Sequence, residues 1–126
     1  MSLPVGARVR AVPNFLSCLD AALEFMREQD TRSAPDRFAH LQSALVRARA
    51  LLRFAPTSGR PARLLEARTG WGRFQAEQAR HLAAQLGLPE LRELVVMRHV
   101  LLYAHAEREV MLLSLRHERQ LSYRLP

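Results

Sequence analysis

The chain predicts an α+β domain: an antiparallel sheet of one N-terminal strand plus three C-terminal strands, packed against an N-terminal helical hairpin, with one extra helix inserted before the C-terminal strands. Three observations carry this. Two segments near the start repeat apolar residues at helical spacing and are joined by a short polar turn. Apolar runs rich in Val and Leu alternate with charged breaks from Leu91 to Tyr123. Pro and Gly break the pattern between these regions, around a third helical stretch. At 126 residues the chain holds one core, and 1–126 reads as a single domain.

Ala7 to Val12 alternates Val9 and Ala11 with Arg8 and Arg10 and stops at Pro13, which predicts an edge strand. Asn14 is a suitable N-cap for a first helix from Phe15 to Glu28, with Leu16, Leu19, Leu23 and Met26 at helical spacing. Gln29 to Arg32 is a polar turn. A second helix starts at Ser33, with Pro35 and Asp36 suited to its first turn. Phe38, Leu41, Leu45, Ala48 and Leu52 form its seam, which should face the same layer as the first helix. Ala55 to Pro61 is a loop.

Ala62 to Gly72 has no clear periodicity. A third helix is expected over Arg73 to Leu86, with Phe74, Leu82 and Leu86 inward and Gly87 ending it; so thin an apolar face suits packing on the rim. Trp71, between two glycines, suits a tethered core plug or a partner anchor. Strands follow at Leu91 to Val96, Val100 to His105 and Glu109 to Arg116. Neither break between them carries an Asn-Gly type signal. The first strand can pair beside a C-terminal one.

Composition narrows the function classes. All 19 basic residues are Arg, against 12 acids, a formal +7 that favours nucleic acid, an anionic surface or an acidic protein partner. The absence of Lys excludes a Lys base or Schiff base. No apolar run reaches the roughly 18 to 20 residues of a membrane helix, and MSLPVGARVR lacks the apolar core of a leader. Cys18, the single cysteine, sits in an apolar helical pattern and reads as a buried thiol, in keeping with the cytoplasm. No cofactor loop is present, and His99, His105 and His117 lack the carboxylates or cysteines to complete a metal set.

Several segments together resemble the RelE/ParE superfamily of bacterial type II toxins. They are Arg92-Glu93-Leu94, the Val100-Leu101-Leu102-Tyr103 strand, and Val110 to His117 followed by Arg119 and Gln120. Val12-Pro13 before the first helix and the Pro56…Gly59-Arg60 loop after the hairpin also fit. The likeness spans Arg8 to Arg60 and Leu91 to Arg124, leaving residues 62–89 as a helical insertion. It implies a growth-inhibiting toxin in complex with a cognate ParD-like or RelB-like antitoxin. ParE-like members poison DNA gyrase, whereas RelE-like members cut messenger RNA on the ribosome.

Cutting RNA needs a proton acceptor, a cation for the phosphorane and an acid for the leaving oxygen. His117, Arg116 and Tyr123 are the candidates, with Arg92 and Arg98 nearby; Arg cannot take the proton, which leaves His117 or Tyr123. The bland alternatives are a His117 that caps a strand end, and half-buried Tyr103 and Tyr123 with wet hydroxyls. A ParE-like target needs only a docking surface, for which Arg116, His117, Arg119, Gln120 and Tyr123 serve, with Arg124 beside them. Of the second helix's arginines, Arg37, Arg47 and Arg53 fall off its seam, on a solvated face that an acidic antitoxin segment can use. The alternatives to a gyrase poison are a ribosome-dependent nuclease and a non-toxic nucleic-acid-binding or adaptor protein.

Overall fold

The longest uninterrupted apolar strand sits at the centre of the sheet. In the computed structural model, which describes residues 6–126, the strands are β1 (Arg8–Ala11), β2 (Arg60–Pro61), β3 (Glu90–Val96), β4 (His99–His105) and β5 (Glu109–His117). Residues 1–5, where the stretch expected to lack a leader begins, lie outside the described residues. The sheet order is β1-β5-β4-β3-β2, with β1 parallel to β5 and every other pair antiparallel. All seven residues of β4 are buried, because it has a strand on each side and packing on each face. The helices are α1 (Pro13–Gln29), α2 (Ala34–Phe54) and α3 (Gly70–Leu86).

The strand, hairpin, strands order is as expected, and the C-terminal strands lie within one residue of their predicted ends. The layering differs. Leu94, Leu101, Tyr103, Leu112 and Leu115 pack with the α1–α2 hairpin on one face. On the other, Leu91, Val100, Leu102, Ala104 and Leu113 pack under α3 and the C-terminal segment. The molecule therefore has three layers, and α3 covers a face rather than the rim. It does so with Gln75 and with Ala76, Ala79 and Ala83, three alanines whose small side chains admit a close approach that larger ones would block. Phe74, expected inward, is 54% exposed, and Trp71, expected as a core plug, is 63% exposed.

The α1 cap is also displaced. Pro13 takes the first helical position after Val12, and Asn14 lies inside the first turn instead of before it. Its amide donates to the Leu113 carbonyl at 3.0 Å and the Arg124 carbonyl at 2.7 Å, tying helix, strand and C-terminal segment together. Cys18 is buried as expected, 3.6 Å from the Ser114 hydroxyl. On α2, Leu41, Ala48 and Leu52 are buried along the predicted seam, with Phe38 and Leu45 half-buried against the same core.

Two connections shape the sheet. The expected loop Ala55 to Pro61 contains a short 3-10 turn at Pro56–Ser58 and then β2, paired with β3 through Arg60↔Glu93 and Pro61↔Arg92. Gly59 is required there: a Cβ would sit 2.6 Å from the Glu93 carbonyl oxygen and 2.7 Å from the Tyr103 hydroxyl. The β3–β4 turn has two residues, Met97 and Arg98, between the paired Val96 and His99. Met97 takes φ 56°, a left-handed value that normally selects Gly at such a turn. In β5 the register slips, so that Leu102 faces Ser114 while Tyr103 faces Leu112, leaving Leu113 as a bulge.

Candidate functional site

Strand alternation separates residues that are adjacent in sequence. Arg116 pairs with Val100 on the α3 face, whereas His117 pairs with His99 on the hairpin face. A groove of about 960 Å³ opens on the hairpin side between α1, the start of α2, the β3–β4 turn and the C-terminal segment. Phe25, Met26 and Leu41 supply its apolar wall, Met97, Arg98 and His99 its rim. His117, Arg119, Gln120, Tyr123 and Arg124 border it from the C-terminal side. Arg116 does not line it.

Two of the lining residues are histidines in contact with each other. His99 and His117 meet edge to face with centroids 5.2 Å apart, and Phe25 lies 6.1 Å from His117. Burial, and next the neighbouring His117, lower the His99 pKa to about 4, against a smaller opposing pull from Glu118. His99 is therefore neutral at pH 7. The Nδ1 of His117 accepts the Arg119 backbone N–H at 3.2 Å, while Gln120 Oε1 accepts the His117 N–H at 2.7 Å. This turn occupies one lone pair of the imidazole, the one a general base would need if its other nitrogen carries the proton. Arg98 meets Glu118 at 3.2 Å on the surface, an exposed pair worth about 0–1 kcal/mol.

Arg116 and Tyr123 belong to a different assembly. The Arg116 guanidinium lies 5.0 Å from the Tyr123 ring centroid and donates to the Gln120 carbonyl at 2.8 Å, holding the turn that leaves β5. The Tyr123 hydroxyl donates to Glu93 Oε2 at 2.7 Å, and Arg60 Nε reaches Glu93 Oε1 at the same distance. Glu93 is 1% exposed, so this is a satisfied buried carboxylate. Burial first, then the bond to Glu93, push the Tyr123 phenol well above its ordinary range. Gln75 clamps Tyr123 from α3, donating to its carbonyl at 2.7 Å and accepting its N–H at 3.2 Å. The expectation of a half-buried Tyr123 with a wet hydroxyl is corrected on both counts. Tyr103 is likewise fully buried, donating to the Pro56 carbonyl at 2.6 Å and accepting the Gly59 N–H at 2.9 Å.

The three candidate catalytic groups thus do not converge on one atom. His117 borders the groove, Arg116 braces a turn, and the Tyr123 hydroxyl points at Glu93. The α2 arginines also divide. Arg37 is half-buried and spends its guanidinium on Ser33, Gln29 and the Met26 and Asp30 carbonyls, locking the hairpin turn rather than facing solvent. Arg47, Arg49 and Arg53 are exposed. Among the described residues no three His, Cys, Asp or Glu side chains gather to hold a metal, and no helix is long and apolar enough to cross a membrane. His105 stands at the far end of β4 from His99, its Nε2 accepting from Arg92 Nε at 3.0 Å.

Glu93 and Gln75 organise the C-terminal segment, and sequence reasoning missed both. Glu93 was legible: it shares strand parity with Leu91 and Val95, where an acid is out of place unless partnered. Gln75 gave no such signal. No protein-family model and no curated protein matches this chain.

Proposed function

We propose that this chain is the toxin of a type II toxin–antitoxin pair, inhibiting growth by docking on DNA gyrase and neutralised by a cognate antitoxin of ParD-like or RelB-like kind. The order of strand, helical hairpin and C-terminal strands is the one the RelE/ParE resemblance implies. One observation favours docking over cutting: the Tyr123 hydroxyl is buried and committed to Glu93. A second leans the same way, since the His117 Nδ1 is taken by the turn it begins. What stays open around the groove is the cations Arg119 and Arg124 beside exposed Phe25 and Met97. Such a surface suits gripping acidic groups and apolar anchors.

Expression of the chain alone should arrest growth, with gyrase-linked DNA breaks and intact messenger RNA, and an adjacent small reading frame should restore growth. Ribosome-dependent cuts in messenger RNA would move the reading to the nuclease branch. Unaffected growth at confirmed folded expression would remove the toxin reading altogether.

A further inference from the structure

The start of α3 carries a surface that the toxin reading does not use, and the inference drawn from it stands without that reading. Trp71, the chain's only tryptophan, and Phe74 are 63% and 54% exposed, with ring centroids 5.7 Å apart. Helical spacing continues their stripe through Gln78, His81 and Gln85, beside the buried face of Gln75, Ala76, Ala79 and Ala83. Neither ring plugs the core. Their turn is fixed nonetheless, because the Thr69 hydroxyl accepts the Gly72 N–H at 3.0 Å and its carbonyl accepts the Arg73 N–H at 2.9 Å.

The charge around the rings is one-sided. From Arg63 to Phe74 the sequence holds three arginines and one acid, Glu66. Arg63, Arg68 and Arg73 are exposed, and among the described residues none of them makes an ion pair or a side-chain hydrogen bond. Arg80, two turns further on, is by contrast taken by Glu77 at 3.0 Å. Exposed Trp71 and Phe74, interspersed in sequence with the exposed and uncommitted Arg68 and Arg73, match the two needs of a flexible polyanion with aromatic bases. Rings accept any base by stacking, and planar guanidinium groups grip phosphate. We propose that this surface binds single-stranded nucleic acid, bases stacking on Trp71 and Phe74 while Arg68 and Arg73 hold the neighbouring phosphates.

Trp71 is its own reporter. The full chain, made by cell-free synthesis, is titrated with a mixed-sequence single-stranded oligonucleotide while tryptophan emission is followed, with DNA and RNA as separate arms. Saturable quenching by either polymer is the expected result. Two phosphate contacts give a log-log salt slope of about −1.4, and Arg68→Ala or Arg73→Ala should each reduce it by about 0.7. Phe74→Ala should weaken binding about tenfold, whereas Arg27→Ala on α1 should leave it unchanged. Both rings are exposed, and far-ultraviolet circular dichroism checks that the variants fold. Absence of quenching overturns the proposal, as does binding of duplex or heparin equal to that of single strands with Phe74→Ala neutral. A blue shift on raising protein concentration or adding anionic vesicles, without response to oligonucleotide, reassigns the surface to a second copy or a membrane. Growth arrest is measured separately, so failure here leaves the toxin reading untouched.

Discussion

Removing one oxygen from Tyr123 tests how the C-terminal segment is held. In Tyr123→Phe the ring keeps its place beside Arg116, but Glu93 Oε2 loses the donor at 2.7 Å. Glu93 is 1% exposed, so water cannot replace that donor without opening the packing. An orphaned buried acceptor costs about 1–3 kcal/mol, with charged groups at the upper end. Arg60 still holds Oε1 at 2.7 Å, which bounds the loss below that of an unpaired buried charge. We expect about 2–3 kcal/mol. For 126 residues, an unfolding entropy of about 2.1 cal/mol/K per residue gives close to 4 °C per kcal/mol, so the thermal midpoint should fall by about 8–12 °C. Urea melts of Tyr123→Phe, Glu93→Gln and the double variant form a cycle whose coupling should be 1 kcal/mol or more, by the same estimate. A Tyr123→Phe midpoint indistinguishable from the parent, or a coupling near zero, would refute the argument.

Other perturbations have equally definite signs. His99 has a folded pKa lowered to about 4, against an ordinary value near 6.5, so the unfolded chain takes the proton first. Stability is then fully present above about pH 6.5 and falls as pH drops towards 4, by up to roughly 3 kcal/mol; His99→Phe should flatten urea midpoints across that window. Met97→Gly should raise stability by about 1 kcal/mol, because Gly accepts the φ of 56° without the Cβ penalty; an unchanged or lower midpoint would count against strain in that turn. Gly59→Ala should lower stability by about 1–3 kcal/mol, since its Cβ would press on the Glu93 carbonyl and the Tyr103 hydroxyl; a neutral result would show that β2 can move aside.

Where burial follows periodicity, the fold could be read from the sequence. The α2 seam at Leu41, Ala48 and Leu52 and the run of β4 both owe their positions to apolar area alone. The α3 helix defeats that logic, because its buried face is alanines and a glutamine while its largest rings stand in solvent. β2 is two residues, one of them Pro, and exists through its pairing with β3 rather than any local preference. The terminal cluster misled for a geometric reason. Arg116 and His117 are neighbours along the chain but lie on opposite faces of the sheet, so contiguity implied a shared site that alternation forbids. Arg37 shows the same limit: a helix position off the seam can still be half-buried and fully engaged when the chain turns back over it.

The pairing of β1 with β5 has a consequence for synthesis. Arg8 lies opposite Glu109, about a hundred residues later, and the Val12 N–H is received by the Leu112 carbonyl. During translation β1 and the hairpin emerge first and have no sheet to lie on. At about 5–20 residues per second β1 waits roughly 5–20 s, and the completed hairpin roughly 3–13 s, for the end of β5 to be made. The hairpin's apolar seam stays exposed for that interval, open to chaperones or to a partner already present. The last strand made thus decides when the molecule becomes folded at all.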